Sequence, residues 1–199
     1  MTFPLTVDLL ADGANPASWL NTQVAAGLAA RLRVVDPPVH ALVTEGLRRL
    51  HQAVAACRAG EPLTDLTVVQ LSWDLQVTRI CGEAWSALVM DPDTMIGLLL
   101  DLTERVEEPL RVPMLTMLAY AAWRSGDVEA AHAGLVTVLR INPDYSLAKL
   151  LHLALHLGIP LSDLDIPSPA ETAQAMGPAH AAWLTPLQPL LARYAPLPS

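Results

Sequence analysis

Lysine is almost absent from this chain: Lys149 is the only one in 199 residues, and the formal net charge is −8. A surface that grips nucleic acid needs clustered cations against the phosphates. The charge balance therefore argues against a nucleic-acid partner. Phenylalanine is nearly missing as well, Phe3 standing alone beside five tryptophans, Trp19, Trp73, Trp85, Trp123 and Trp183. Cysteine is limited to Cys57 and Cys81, with neither the C-x-x-C spacing of a metal or redox site nor the density of a disulfide framework. Two buried, reduced thiols are the expectation. No apolar run approaches the ~18 residues that span a bilayer, so no membrane association is expected. The first basic residue is Arg31, which leaves an amino-terminal secretion signal without its charged start. A cytoplasmic protein is the reading that fits. No G-x-S-x-G and no glycine-rich phosphate loop occurs, and nothing in the pattern asks for a cofactor.

What is present is apolar: hydrophobic residues make up 52% of the chain and charged ones only 16%. That is enough for one sizeable core. Strand-like alternation does not persist anywhere, so the fold class is all-α. Residues 1–15 read as an amino-terminal arm, 16–158 as an all-helical domain and 159–199 as a proline-rich extension. Asn15-Pro16 and Asp36-Pro37-Pro38 each look like the opening of a helix. The first helix carries the stripe Leu20, Val24 and Leu28. The second carries Val39, Leu42, Val43, Leu47, Leu50 and Val54, with Glu45 and Arg49 placed to pair across one turn. Thr64 caps a helix that runs to Trp73 or Leu75. The stripe Val77, Ile80, Cys81, Ala84, Trp85 and Leu88 follows, with Arg79 and Glu83 on its polar side. After Asp91-Pro92 comes Met95, Leu98, Leu99, Leu102 and Val106.

The stretch from Met114 to Leu157 organises the rest. Leu115, Leu118 and Ala122 recur at helical spacing, then Val128, Ala131, Leu135, Val138 and Leu139. Gly126 sits where the first of these helices stops, in a left-handed conformation that would cost a residue with a Cβ about 1–2 kcal/mol. Asp127 is placed to cap the next helix, and Asn142-Pro143 to end it. Leu147, Leu150, Leu151 and Ala154 mark the buried face of a third. This spacing resembles a tetratricopeptide repeat. Gly126-Asp127 falls on the turn between the two helices of that motif, Leu118 on a leucine of its first helix, Ala131 on the small residue of its second and Pro143 on the closing proline. Leu115, Ala119 and Ala122 stand where the motif prefers Trp, Gly and Tyr. No second copy is visible in the sequence at that period, so one such unit is expected within a domain of antiparallel helical hairpins.

The segments from Leu118 to Asp127 and from Asn142 to Ala148, with the upstream helix bearing Arg79 and Trp85, carry a further likeness. Residues 63–160 resemble the C-terminal half of a bacterial, mainly actinobacterial, family of domains of unknown function (number four-one-nine-two). Members of that family usually have an α/β amino-terminal half, so the resemblance implies a truncated or divergent relative. It implies no activity.

Past Gly158 the prolines multiply, yet Trp183, Leu187, Leu190, Leu191 and Tyr194 are too apolar for a free tail. Short helices are expected over 170–176 and 179–184, and docking of the extension on its own chain or on another subunit. The last residues, 195–199, are expected to be loose.

Two constellations could carry chemistry. His152 and His156 have metal-ligand spacing on a helix, but Leu153 stands where a zincin motif needs glutamate and both lie opposite the expected buried face. The carboxylates Asp91, Asp93, Asp101, Glu104, Glu107 and Glu108 scatter along a helix with no loop to converge them. The preferred function is therefore a non-catalytic protein–protein interaction or scaffold module, whose partner is another protein or a second copy. Tyr120, Trp123, Arg124, Arg140 and Trp183 are the expected contact residues, and Gly126, Asp127 and Pro143 the structural turns. The alternative is an enzyme or regulatory fragment using the acidic cluster or a pocket. A DNA-associated role comes third.

Overall fold

The computed structural model describes residues 18–32, 39–164, 171, 174, 177 and 180–195. The arm 1–15 and the two expected helix openings at 15–16 and 36–38 lie outside them. Of the expected helix over 170–176 only Glu171 and Gln174 are described, both helical.

Among the described residues the fold is all-α, with no strand. The helices are α1 (Ser18–Leu32), α2 (Val39–Arg58), α3 (Asp65–Asp74), α4 (Thr78–Met90), α5 (Pro92–Arg105), α6 (Val112–Arg124), α7 (Val128–Ile141), α8 (Ser146–His156) and α9 (Leu187–Tyr194). Short 3-10 turns at Glu108–Arg111, Leu161–Asp163 and Ala181–Leu184 join or precede them. Local chemistry explains the boundaries. Thr64 accepts from the Thr67 amide to start α3, and Asp91 accepts from Thr94 to start α5, with Pro92 at the first helical position.

From α4 onward each helix packs on its neighbours in sequence: α4 on α5, α5 on α6, α6 on α7, α7 on α8, with α4 also touching α6 and α6 touching α8. Before that, α2 lies against α3, α4 and α5, and α1 against α3 and α9. One apolar core runs from Ala25 in α1 through Leu50, Trp73, Ile80, Leu99 and Met117 to Trp183. A second, smaller one gathers Val112, Leu115, Ala119, Leu135, Val138, Ala148 and Leu151 between α6, α7 and α8. The extension thus docks on its own chain: Trp183, Leu184 and Leu187 belong to the main core.

Three faces differ from the periodicity reading. In α1 the buried residues are Asn21, Ala25 and Ala29, with Leu20, Val24 and Leu28 on the flank, because small side chains let α3 and α9 approach. In α7 Val128 is 53% exposed, since it opens the helix at its solvent end. In α8 the buried residues are Ala148, Leu151 and Ala154, while Leu150 is 47% exposed. Glu45 also takes a different first partner: its carboxylate holds Arg31 at 2.9 and 3.1 Å, and Arg49 lies 4.0 Å away.

Candidate functional site

Helix α6 is the centre of the hairpin region, and three of the five residues expected to make contacts lie on it. Tyr120 is half-buried, its ring 4.6 Å from that of Trp85 on α4 and tilted by 45°. The Arg124 guanidinium carbon lies 5.9 Å from the Tyr120 ring centre, within range of a cation–π contact. Arg124 itself is exposed. Trp123 is half-buried against the second core. Trp85, Tyr120 and Arg124 therefore form a short ledge in which an aromatic pair supports an exposed cation.

The other two expected contact residues lie elsewhere. Arg140, exposed on α7, pairs with Glu108 at 2.6 Å. Trp183 is wholly buried, its indole donating to the Gly177 carbonyl at 2.8 Å. It is an anchor of the chain's own core rather than a surface for a partner. A proline-rich segment hid this, because nothing in its sequence shows what covers the ring.

The turns are built as their residues suggest. Gly126 has φ 87°, and its amide donates to Trp123 while that of Asp127 donates to Ala122, the pairing of a glycine-closed helix end. Asp127 accepts from the Ala130 amide at 2.9 Å. Pro143 follows Asn142, whose side chain accepts from the Asp144 amide at 3.1 Å.

Of the six acidic residues, Asp93 and Glu104 are exposed, and the other four are held separately. Asp91 holds Arg58 at 2.8 Å, Asp101 holds Arg105 at 3.0 Å, Glu108 holds Arg140, and Glu107 accepts from the Tyr194 hydroxyl at 2.8 Å. Among the described residues no three His, Cys, Asp or Glu side chains are placed to hold a metal ion. His156 is exposed, and His152 meets His132 of α7 with ring centres 5.2 Å apart.

Both cysteines are free. Burial pushes the Cys81 thiol up to about 11, against the opposing hydrogen bond from Tyr145. A thiol so placed is a poor nucleophile at neutral pH. Burial, then Cys81, likewise raises the Tyr145 phenol. Cys81 and Tyr145 thereby tie α4 to the start of α8, a contact across 64 positions that no local spacing announces.

A family profile described as a domain of unknown function, DUF4192, matches residues 10–161. The chain belongs to this family. The DUF4192 match takes in α1–α3 as well as the hairpins, so it reaches well upstream of the 63–160 span over which the resemblance was read. No curated protein and no solved structure matches the chain. No helix among the described residues of this DUF4192 chain is long and apolar enough to cross a membrane.

Proposed function

We propose that this chain is a non-catalytic, cytoplasmic interaction module, a short stack of tetratricopeptide-like hairpins that binds a segment of another protein. One observation carries the reading. Helices α4, α6 and α8 begin at Thr78, Val112 and Ser146, 34 residues apart each time, the period of tetratricopeptide repeats. The contacts follow the same order, α4–α5–α6–α7–α8, with α6 touching the equivalent helix on either side. Stacks of this kind expose long surfaces along one set of equivalent helices, and their use is contact. Arg124, supported by Tyr120 and Trp85, is the contact residue proposed first, with Trp123 beside it. Arg140 on α7 is a second. The enzyme reading draws little from the acidic residues, since Asp91, Asp101 and Glu108 each hold a different arginine and no three acidic, His or Cys side chains among the described residues are placed to hold a metal ion.

The test is copurification of the untagged chain from its own cell, repeated with Arg124→Glu. Arg124 is exposed and holds no core position, so the variant is expected to melt like the parent while losing its partner. Equal recovery of the same proteins by parent and variant would remove Arg124 from the surface. Recovery of none by the parent would count against the module itself.

A further inference from the structure

Among the described residues no second helix follows α8 in the way that α5 follows α4. Helices α4 and α6 are each followed by a second helix, α5 or α7, that packs on them. After α8 the described chain passes through Gly158 into the 3-10 turn Leu161–Asp163. The 34-residue step from α6 to α8 puts the two faces in register. Thr116 and Ala119 of α6 are 0% and 1% exposed. Gly134 of α7 crosses so close to Ala119 that a Cβ on it would lie 3.0 Å from the Ala119 Cβ. The corresponding residues of α8 are Leu150 and Leu153, with Leu157 in the place of Trp123. All three are open, at 47%, 55% and 60% exposed.

We propose that this face of α8 receives a carboxylate-bearing amphipathic helix from a partner protein, which stands where the second helix of a third hairpin would stand. Leucines at i, i+3 and i+7 are the pattern by which one helix receives another. Charge selects the occupant. Ser146–His156 contains Lys149, His152 and His156 and no carboxylate, in a chain whose acidic residues outnumber its Lys and Arg by 20 to 12. Among the described residues Lys149 is held only by Asp144, at 2.9 Å, whose side chain is 94% exposed, so a partner carboxylate can share it. A second copy is the poorer fit, since its own α8 brings no carboxylate to meet Lys149.

The proposal rests on the stacked-hairpin reading but uses a different face from Arg124, so the two fail separately. The probe is a labelled synthetic helix with leucines at that spacing and glutamates beside them, set against a twin with lysines for glutamates. Fluorescence anisotropy on the full chain is expected to show the glutamate helix binding at least about tenfold more tightly than its twin, a difference of ~1.4 kcal/mol. Leu153→Glu is expected to abolish the binding, with circular dichroism and melting like the parent. Arg124→Glu is expected to leave it unchanged. Equal binding of the two helices, binding of neither, or binding that survives Leu153→Glu overturns the proposal. Binding lost in Arg124→Glu but kept in Leu153→Glu overturns it in favour of the Arg124 face. Sedimentation showing a dimer that Leu153→Glu dissolves overturns it in favour of a second copy.

Discussion

Arg49 and Asp74 form the most deeply placed ion pair described, a two-pronged contact at 2.6 and 2.8 Å with side chains only 17% and 8% exposed. Gly46 makes room for it: a Cβ there would lie 2.2 Å from Ile80 Cδ1 and 3.2 Å from the Asp74 carboxyl. Burial pushes Asp74 up, with the Arg49 hydrogen bond opposing it. Removing Asp74 leaves Arg49 with only the longer contact to Glu45 at 4.0 Å, so Asp74→Ala is expected to cost about 3 kcal/mol, read from urea unfolding. Asn21 presents the opposite case. It is 0% exposed and neither amide atom finds a partner among the described residues, so Asn21→Leu is expected to raise stability by about 1–2 kcal/mol. An unshifted melting curve would show the amide to be satisfied in solution. Cys81 gives a pH dependence. Its thiol ionises near 11 folded against 9.0 for the ordinary group, so the unfolded chain releases the proton first. Stability from this group is intact below pH 9 and falls between 9 and 11, by roughly 2–3 kcal/mol. Cys81→Ala should flatten the loss in that window. None of these three features is legible in the sequence. Arg49 and Asp74 are 25 positions apart, and a polar residue in an apolar stripe reads the same whether it is paired or orphaned.

At the scale of elements the sequence speaks more clearly, because period and punctuation are local. The starts of α3 and α5 and the α6–α7 turn stand where Thr64, Asp91-Pro92 and Gly126-Asp127 put them. Which side of a helix is covered is less legible. Helix α8 carries Leu147, Leu150, Leu151, Leu153 and Leu155, leucines on every side, so hydrophobicity alone cannot select the face that α7 takes. The 34-residue recurrence also hides from residue identity. Equivalent positions hold Ile80, Met114 and Ala148, all fully buried, yet their volumes differ because each meets a different neighbour. The α6–α7 crossing offers the sharpest test at this scale. Gly134 lies against Ala119 at a distance that leaves no space for a branched side chain. Gly134→Val is expected to push the helices apart and cost about 1–3 kcal/mol, seen as a lower melting temperature. Retained stability there would mean that the hairpin has slack along its axis.

Across the whole molecule, the extension is what joins the two ends of the chain. Helix α9 lies on α1, Trp183 fills the main core, and Tyr194 stacks edge-on against Trp73 with ring centres 5.6 Å apart. The Tyr194 hydroxyl also donates to Glu107, just past the end of α5. The apolar composition of residues 183–194 makes docking legible, but only the fold shows that the docking is internal. A chain ending at Gly158 would uncover the side of Trp73 and lose Trp183, Leu184 and Leu187 from the core, at about 1.5–3 kcal/mol for each buried side chain. It is expected to melt well below the full chain and to keep its helicity mainly in α4–α8, where neighbour packs on neighbour. Tyr194 supplies a gentler handle on the same contact. Burial, then Glu107, raises its phenol above the ordinary 10.0. The unfolded chain therefore ionises first, and the docked form loses stability as pH rises past 10. Tyr194→Phe removes that ionisation together with the Glu107 bond, so it should lower stability at neutral pH yet weaken the alkaline decline. A truncated chain with the parent's melting temperature, or a Phe variant with the parent's alkaline decline, would mean that the extension rests on the body without holding it.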